Sequence, residues 1–350
     1  MAGVSTGTRN LAELHDDLQR WFADREGDPT IRVSAFEENQ HSGFSNQTLF
    51  FHLERPHGDA VPLVLRMPPA GEGLFPHYDF EMQYRAQTML AASGVRAVAP
   101  IYYEPSREWL GAPFMVLPWI EGHSPNDVTY MLKGWLHDAS REVQRTCLES
   151  FADCLVSLHT TDTRPFGELL RRPGGSGFTV ELEWWHQYLL WAGDGNPPSQ
   201  MVDAYAWARE TCPGNPYPDS VLWNDARLSN AVFADDGTVL GALDWEQASI
   251  GPAELDIAYW LATRRQTCEA LGIQSDPELP GFSSRSELVE RLERGLRRPL
   301  HALAWHETFA MVRMGTCTAG TQRVLRLSGH EDHFIMKAPL LPQWALSAME

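Results

Sequence analysis

The sequence predicts an α+β chain with a small, strand-rich first part and a larger, mainly helical second part. Three observations carry this reading. In residues 1–117 short apolar runs alternate with turn-rich breaks, interrupted by one internal helical pattern. Beyond residue 122 apolar residues recur mostly at helical spacing. In the middle of the helical part, two apolar runs flank Asp235-Asp236-Gly237, and an Asp-Gly turn between such runs signals a hairpin.

The elements follow in order. Leu11, Leu14, Leu18, Trp21 and Phe22 fall at helical spacing and predict an amphipathic helix over 9–25. Strands are expected at IRVSAF (31–36), QTLFFHLE (47–54) and VPLVLRMP (61–68), joined by HSGFSN and ERPHGDA, both rich in turn residues. A helix over 78–92 closes at Gly94, and strands over 98–104 and 112–119 follow. The connector PWIEG marks a boundary: residues 1–117 form a first lobe, 118–122 a hinge and 123–350 a second lobe. In the second lobe helices fit 138–161, 181–193, 199–212, 253–270, 285–297 and 298–317, with a loop at 171–178.

Composition excludes several classes. With 28 Lys+Arg against 46 Asp+Glu, the formal net charge is -18, which argues against general nucleic-acid binding. Cys147, Cys154, Cys212, Cys268 and Cys317 are odd in number and form no CxxC, so reduced thiols in a cytoplasmic protein are expected. The N-terminus lacks the apolar core of a signal peptide, and no apolar window is long enough for a membrane helix.

The chemistry concentrates in LWNDARLSN (222–230), where Asp225, Arg227 and Asn230 sit between two apolar runs. A solvated turn is one explanation. The hairpin favours another, because it brings the start of its first strand, Asn230, beside the end of its second, Asp244. A carboxylate and an amide oxygen at one strand end suit Mg²⁺. Phosphoryl transfer needs such a metal site, a carboxylate base and a cation near the transferred group. Asn230 and Asp244 fit the metal, Asp225 the base and Arg227 the cation. Asp235 and Asp236 are better explained as turn residues.

This D-x-x-x-x-N, followed by a hairpin and Asp244-Trp245-Glu246, resembles the aminoglycoside phosphotransferase and choline kinase-like family, which has a protein-kinase-like fold. The similarity is nearest to the bacterial branch with a Trp-Gly-Asp-x-Arg loop, and GAPFMVLPWIEG (111–122) and IGPAELDIAYWLA (250–262) extend it. The resemblance implies a two-lobed molecule with an antiparallel first-lobe sheet, using ATP or GTP with Mg²⁺ to phosphorylate a hydroxyl of a small molecule. It implies that Ser42, Gly43, Ser45 and Asn46 cover the phosphates, and that Arg66 takes the place of the nucleotide-binding Lys. It further implies that Leu117, Pro118 and Trp119 form a hinge against adenine, and that Asp256 buttresses the loop.

Four positions depart from the family pattern. Trp223 stands for His, Asn224 for Gly, Arg66 for Lys, and Gln83 for the helix Glu that pairs with that Lys, with Glu81 nearby. Arg meets phosphate as a fork and Lys as a point charge. These departures keep open a nucleotide-binding module without phosphoryl transfer. A kinase acting on protein ranks last, since only a short segment separates Asp244 from Asp256. For the acceptor, Trp184, Trp185, His186, Tyr188, Trp191, Trp305 and His306 are either core or an aromatic wall. A hydroxylated metabolite or natural product is preferred over a polycationic antibiotic, because no dense acidic helix occurs late in the chain.

Overall fold

The computed structural model describes residues 9–37, 45–56 and 58–350. The chain is α+β. Its elements are α1 (Leu11–Glu26), β1 (Arg32–Val33), β2 (Gln47–Glu54), β3 (Val61–Met67), α2 (Phe80–Ala92), β4 (Tyr102–Glu104) and β5 (Phe114–Pro118). Then follow α3 (Trp135–Asp138), α4 (Arg141–His159), α5 (Phe178–Ala192), α6 (Ser199–Glu210), β6 (Ser220–Leu222), β7 (Ala231–Phe233), β8 (Val239–Ala242) and β9 (Ser249–Gly251). The chain closes with α7 (Glu254–Leu271), α8 (Arg285–Leu296), α9 (Leu303–Leu327) and α10 (Gln343–Met349).

These elements divide between two compact units. One comprises Met1–Arg85, Ala99–Trp119 and Cys317–Ala338, and the other Ala86–Val98, Ile120–Thr316 and Pro339–Glu350. In the first unit a five-stranded sheet has the order β1-β2-β3-β5-β4, antiparallel throughout. Its core follows from the period-2 pattern of strands. Phe51 and Leu53, Leu63 and Leu65, and Phe114 and Val116 point to one face and pack with Leu14, Leu18, Trp21 and Phe22 of α1. Asn10 accepts the Ala12 N–H at the start of that helix, and Gly27 ends it at φ 66. One half-buried polar knot ties helix to sheet: Glu26 accepts from Arg55 at 2.6 Å and from the Tyr102 hydroxyl at 2.7 Å.

The second unit is mainly helical, with two antiparallel strand pairs, β6–β9 and β7–β8. The β7–β8 hairpin turns at Gly237, whose φ is 89; a Cβ there would lie 2.4 Å from the Val143 carbonyl oxygen of α4. Glycine is therefore needed both for the turn and for its close seat on the helix. Gly122 is constrained in the same way, since a Cβ there would lie 2.5 Å from the Phe233 carbonyl oxygen. That approach lets His123 and Phe233 exchange backbone hydrogen bonds, each of 2.8 Å.

Local geometry corrects several expected boundaries. The helix expected over 138–161 is α4, which starts only at Arg141 because Ser140 caps it by accepting the Val143 N–H at 3.2 Å, and the short α3 precedes it. The helix expected over 298–317 begins only at Leu303 and runs on to Leu327, with Ala302 at φ 45 before it. The strands expected at 31–36 and 98–104 shrink to β1 and β4. All five cysteines are free thiols; Cys147 and Cys154 are buried and the others half-buried. Among the described residues no helix is long and apolar enough to cross a membrane.

His306 of α9 is 1% exposed and stacks on the Phe178 ring at 5.1 Å. Burial pushes its imidazole pKa down from 6.5 to about 4. The folded chain keeps this ring neutral while the unfolded chain protonates it below about pH 6.5. Stability is therefore expected to fall as pH drops from 6.5 towards 4, this residue contributing about 2 kcal/mol between pH 7 and pH 5. Denaturant unfolding of wild type and His306→Phe at both pH values checks this. The variant should lose about that much of the pH dependence, and an unaltered slope would refute the assignment.

Candidate active site

The site is built on the turn that follows β6. The chain leaves Leu222 into Trp223 and Asn224, and Asn224 sits in the left-handed region at φ 65. An L-residue other than glycine holds this conformation only when its surroundings fix it. Asp256, fully buried in the first turn of α7, supplies one constraint. Its two carboxylate oxygens accept the backbone N–H groups of Trp223 and Asn224, each at 2.7 Å. The Asn224 side chain supplies another, its amide donating to the Gln247 carbonyl at 2.9 Å and to the Ser249 hydroxyl at 2.7 Å. Burial raises the pKa of Asp256, and burial lowers that of His159, whose ring lies 3.7 Å from the carboxylate.

Trp223 fills the place of the family's usual His by packing. Its ring is 1% exposed and stacks on Trp245 at 5.2 Å with an interplanar angle of 16°. Its indole N–H donates to the Leu243 carbonyl at 2.8 Å. That bond links the turn to the far end of the β7–β8 hairpin without a titratable group.

Asp225 follows directly. Its Oδ2 accepts from the Arg227 guanidinium and from the Asn230 amide, both at 2.7 Å. The Asn230 amide also donates to the Asp225 carbonyl at 2.9 Å. Arg227 reaches further, donating to Asp127 at 2.8 Å, and the Ser229 hydroxyl donates to the same carboxylate at 2.7 Å. Burial pulls the Arg227 pKa down, but the carboxylates of Asp225 and Asp127 outweigh it and hold the group well above its ordinary value. Arg227 is thus a fixed cation between two carboxylates. Sequence reasoning does not find Asp127: a single Asp in the turn-rich HSPND carries no periodic or spacing signal.

The hairpin does what its sequence pattern requires. Ala231 pairs with Ala242, and the Leu243 N–H donates to the Asn230 carbonyl at 2.8 Å. Asn230 and Asp244 therefore come to the same end of the hairpin, Asp244 in the left-handed region at φ 62. The Asn230 amide nitrogen is committed to Asp225, so its Oδ1 is the atom that would meet a cation. One amide oxygen and one carboxylate are hard donors that fit Mg²⁺, with its other positions left to water and phosphate. Among the described residues no group of three or more His, Cys, Asp and Glu side chains could hold a metal. Asp235 is exposed and meets His123, and Asp236 accepts the Thr238 N–H, as turn residues do.

The expected nucleotide residues belong to the first unit or lie outside the described residues, as Ser42 and Gly43 do. Ser45 and Asn46 are buried just before β2, and Arg66 on β3 is buried between Thr48 of β2 and Met115 of β5. Gln83 is buried on α2. Leu117 and Pro118 end β5, paired with Val64 and Leu63. The Trp119 N–H donates to the Pro62 carbonyl at 3.1 Å and Pro118 has none, so neither supplies a free N–H to a base. Of the aromatic residues, Trp185, Tyr188 and His306 are core, while the Arg172 guanidinium covers the Trp184 face at 3.7 Å.

Comparison with known proteins bears on this geometry. The Phosphotransferase enzyme family matches residues 38–297, well over half of the chain. This chain belongs to that family. The family resemblance read from the loop is borne out. Human acyl-CoA dehydrogenase family member 11 is 25% identical over 283 residues, which is 79% of this chain but 34% of that protein. The chain thus spans about a third of that relative. Among solved structures, a Ralstonia eutropha protein named as a candidate aminoglycoside phosphotransferase has a TM-score of 0.62 at 20% identity, covering 95% of this chain and 93% of that one. Plasmodium vivax ethanolamine kinase has a TM-score of 0.62 at 12% identity, covering 99% and 90%. These likenesses show that the chain has a kinase-like fold.

Asp256→Asn should cost the fold about 2–3 kcal/mol, since one of two buried N–H groups then loses its acceptor. Urea unfolding of the two proteins at pH 7 tests it. A difference within about 0.5 kcal/mol would mean that the turn is held by its other bonds.

Proposed function

We propose that this phosphotransferase moves the γ-phosphate of ATP to a hydroxyl of a small molecule. One observation chiefly supports the reading: both side-chain hydrogen bonds to the Asp225 carboxylate fall on Oδ2. Oδ1 is left for an incoming hydroxyl. In this reading the hydroxyl oxygen bonds to the γ-phosphorus, the bond to the β–γ bridging oxygen breaks, and the hydroxyl proton passes to Asp225. Arg227 stays charged beside the base and offsets charge on the transferring group. Asn230 and Asp244 would hold Mg²⁺, which supplies charge neutralisation to the phosphates when bound. Residues 1–117 would bind nucleotide through Ser45, Asn46, Arg66 and Gln83, with 118–122 as hinge and 123–350 carrying catalysis and the acceptor.

For the acceptor, the human relative's name suggests a first class to try. A chain matched within a longer acyl-CoA dehydrogenase family member can share its acyl-CoA substrates, so a hydroxyacyl thioester is proposed ahead of an aminoglycoside. A second reading, nucleotide binding without transfer, draws on one observation. Buried Gln83 stands where the resemblance places a Glu, so the neutral amide cannot pair with Arg66 as a carboxylate would.

The test is transfer of labelled phosphate from γ-labelled ATP to hydroxyacyl thioesters, an aminoglycoside and a cell extract split into protein and small-molecule fractions. Asp225→Asn should lower turnover on the order of 10³-fold, with nucleotide affinity nearly unchanged. An equally active variant removes Asp225 as base. Nucleotide binding without a labelled product in any fraction favours the second reading.

A further inference from the structure

We propose that Arg313 is a positioning residue for catalysis, setting the direction of Asp225 through Asn224. The inference rests on Asp225 being the base. Arg313 lies on α9, far from the loop in sequence, and is fully buried. It donates to the Asn224 carbonyl at 2.7 Å and to the Asn224 side-chain oxygen at 2.9 Å. A third bond, at 2.8 Å, goes to the Leu255 carbonyl, next to Asp256. The rings of Trp185 and Tyr259 flank the guanidinium at 4.7 and 5.0 Å.

Stability alone is a poor reason for this residue. A buried guanidinium is costly to desolvate, and its bonds to the Asn224 and Leu255 oxygens return only part of that cost. Among the described residues no carboxylate makes a direct ion pair with Arg313, and the buried Asp256 carboxylate attracts it only from further away. What distinguishes Arg313 is where its bonds fall. Asp256 takes the N–H of Asn224 and Arg313 takes the C=O, so the backbone preceding Asp225 is gripped at both ends by opposite charges. Ser249 and Gln247 take the side-chain amide nitrogen while Arg313 takes the side-chain oxygen. With every polar atom of Asn224 engaged, its left-handed φ and the exit direction of Asp225 are fixed. One guanidinium nitrogen, Nη2, meets both Asn224 oxygens while the other, Nη1, reaches the Leu255 carbonyl, a two-nitrogen span that the single nitrogen of an ammonium does not reproduce.

The experiment compares Arg313→Lys, Asn224→Gly and the double variant with wild type. Glycine keeps the left-handed turn and removes the side-chain half of the grip. Melting temperature and nucleotide dissociation constant are measured with Mg-ATP. Turnover is read as phosphoryl transfer to whichever acceptor the wild type uses, or to water as ATP hydrolysis. Amide hydrogen exchange is followed over residues 222–230. Each folded single variant should keep its nucleotide affinity within about twofold and lose kcat by up to the order of 10²-fold. Exchange should quicken in the 222–230 peptide alone, and the double variant should lose less than the product of the single losses.

Full kcat in a folded Arg313→Lys, or multiplicative losses in the double variant, overturns the proposal. If Arg313→Lys does not fold, Asn224→Gly decides alone, and full kcat with unaltered exchange rejects the grip. A wild type with no turnover defeats the reading of Asp225 as base. Exchange at 222–230 still reports separately whether Arg313 holds the turn.

Discussion

The Asp256 carboxylate accepting the N–H groups of Trp223 and Asn224 is the contact on which the site depends. It joins the start of α7 to the end of β6 and so determines where the next residue, Asp225, is presented. A buried carboxylate is costly unless its oxygens are occupied. Here two backbone donors occupy them, so the cost of burying Asp256 and the cost of the strained turn are met by one interaction. The turn is rigid because each half satisfies the other.

Around this contact the second unit assembles its polar groups in a consistent order. The β7–β8 hairpin returns the chain to the turn, where Trp223 donates to Leu243 and Leu243 donates to Asn230. Asn230 then closes on Asp225, and Arg227 bridges Asp225 to Asp127. Side chains from separate stretches of the sequence hold one short loop, and apolar packing of Trp223 on Trp245 shields its back. A rigid frame of this kind suits chemistry that depends on placement more than on covalent participation by the protein.

How far the sequence could be read depended on range. β2 was legible to the residue, because alternation along a strand is a local pattern that its pairing with β3 preserves. The exact limits of α4 and α9 were not. A serine cap and a left-handed alanine set where those two helices start, and such geometry leaves little trace in hydrophobic periodicity. The spacing of Asp225 and Asn230 and the Asp-Gly turn point to a phosphotransferase from the residues alone, and the family match over residues 38–297 agrees.

Sequence by itself determined the residue types, the hairpin and hence the meeting of Asn230 with Asp244, since a two-strand return is fixed by its own turn. Tertiary structure alone decided that Asp127 would clasp Arg227 and Ser229, that Trp223 would stack where a titratable ring is usual, and that Arg313 would reach Asn224 from α9. The physical reason is separation along the chain. A buried charge announces only that it needs a partner, and which partner it finds is settled by the packing of helices whose order in the sequence does not encode their contacts.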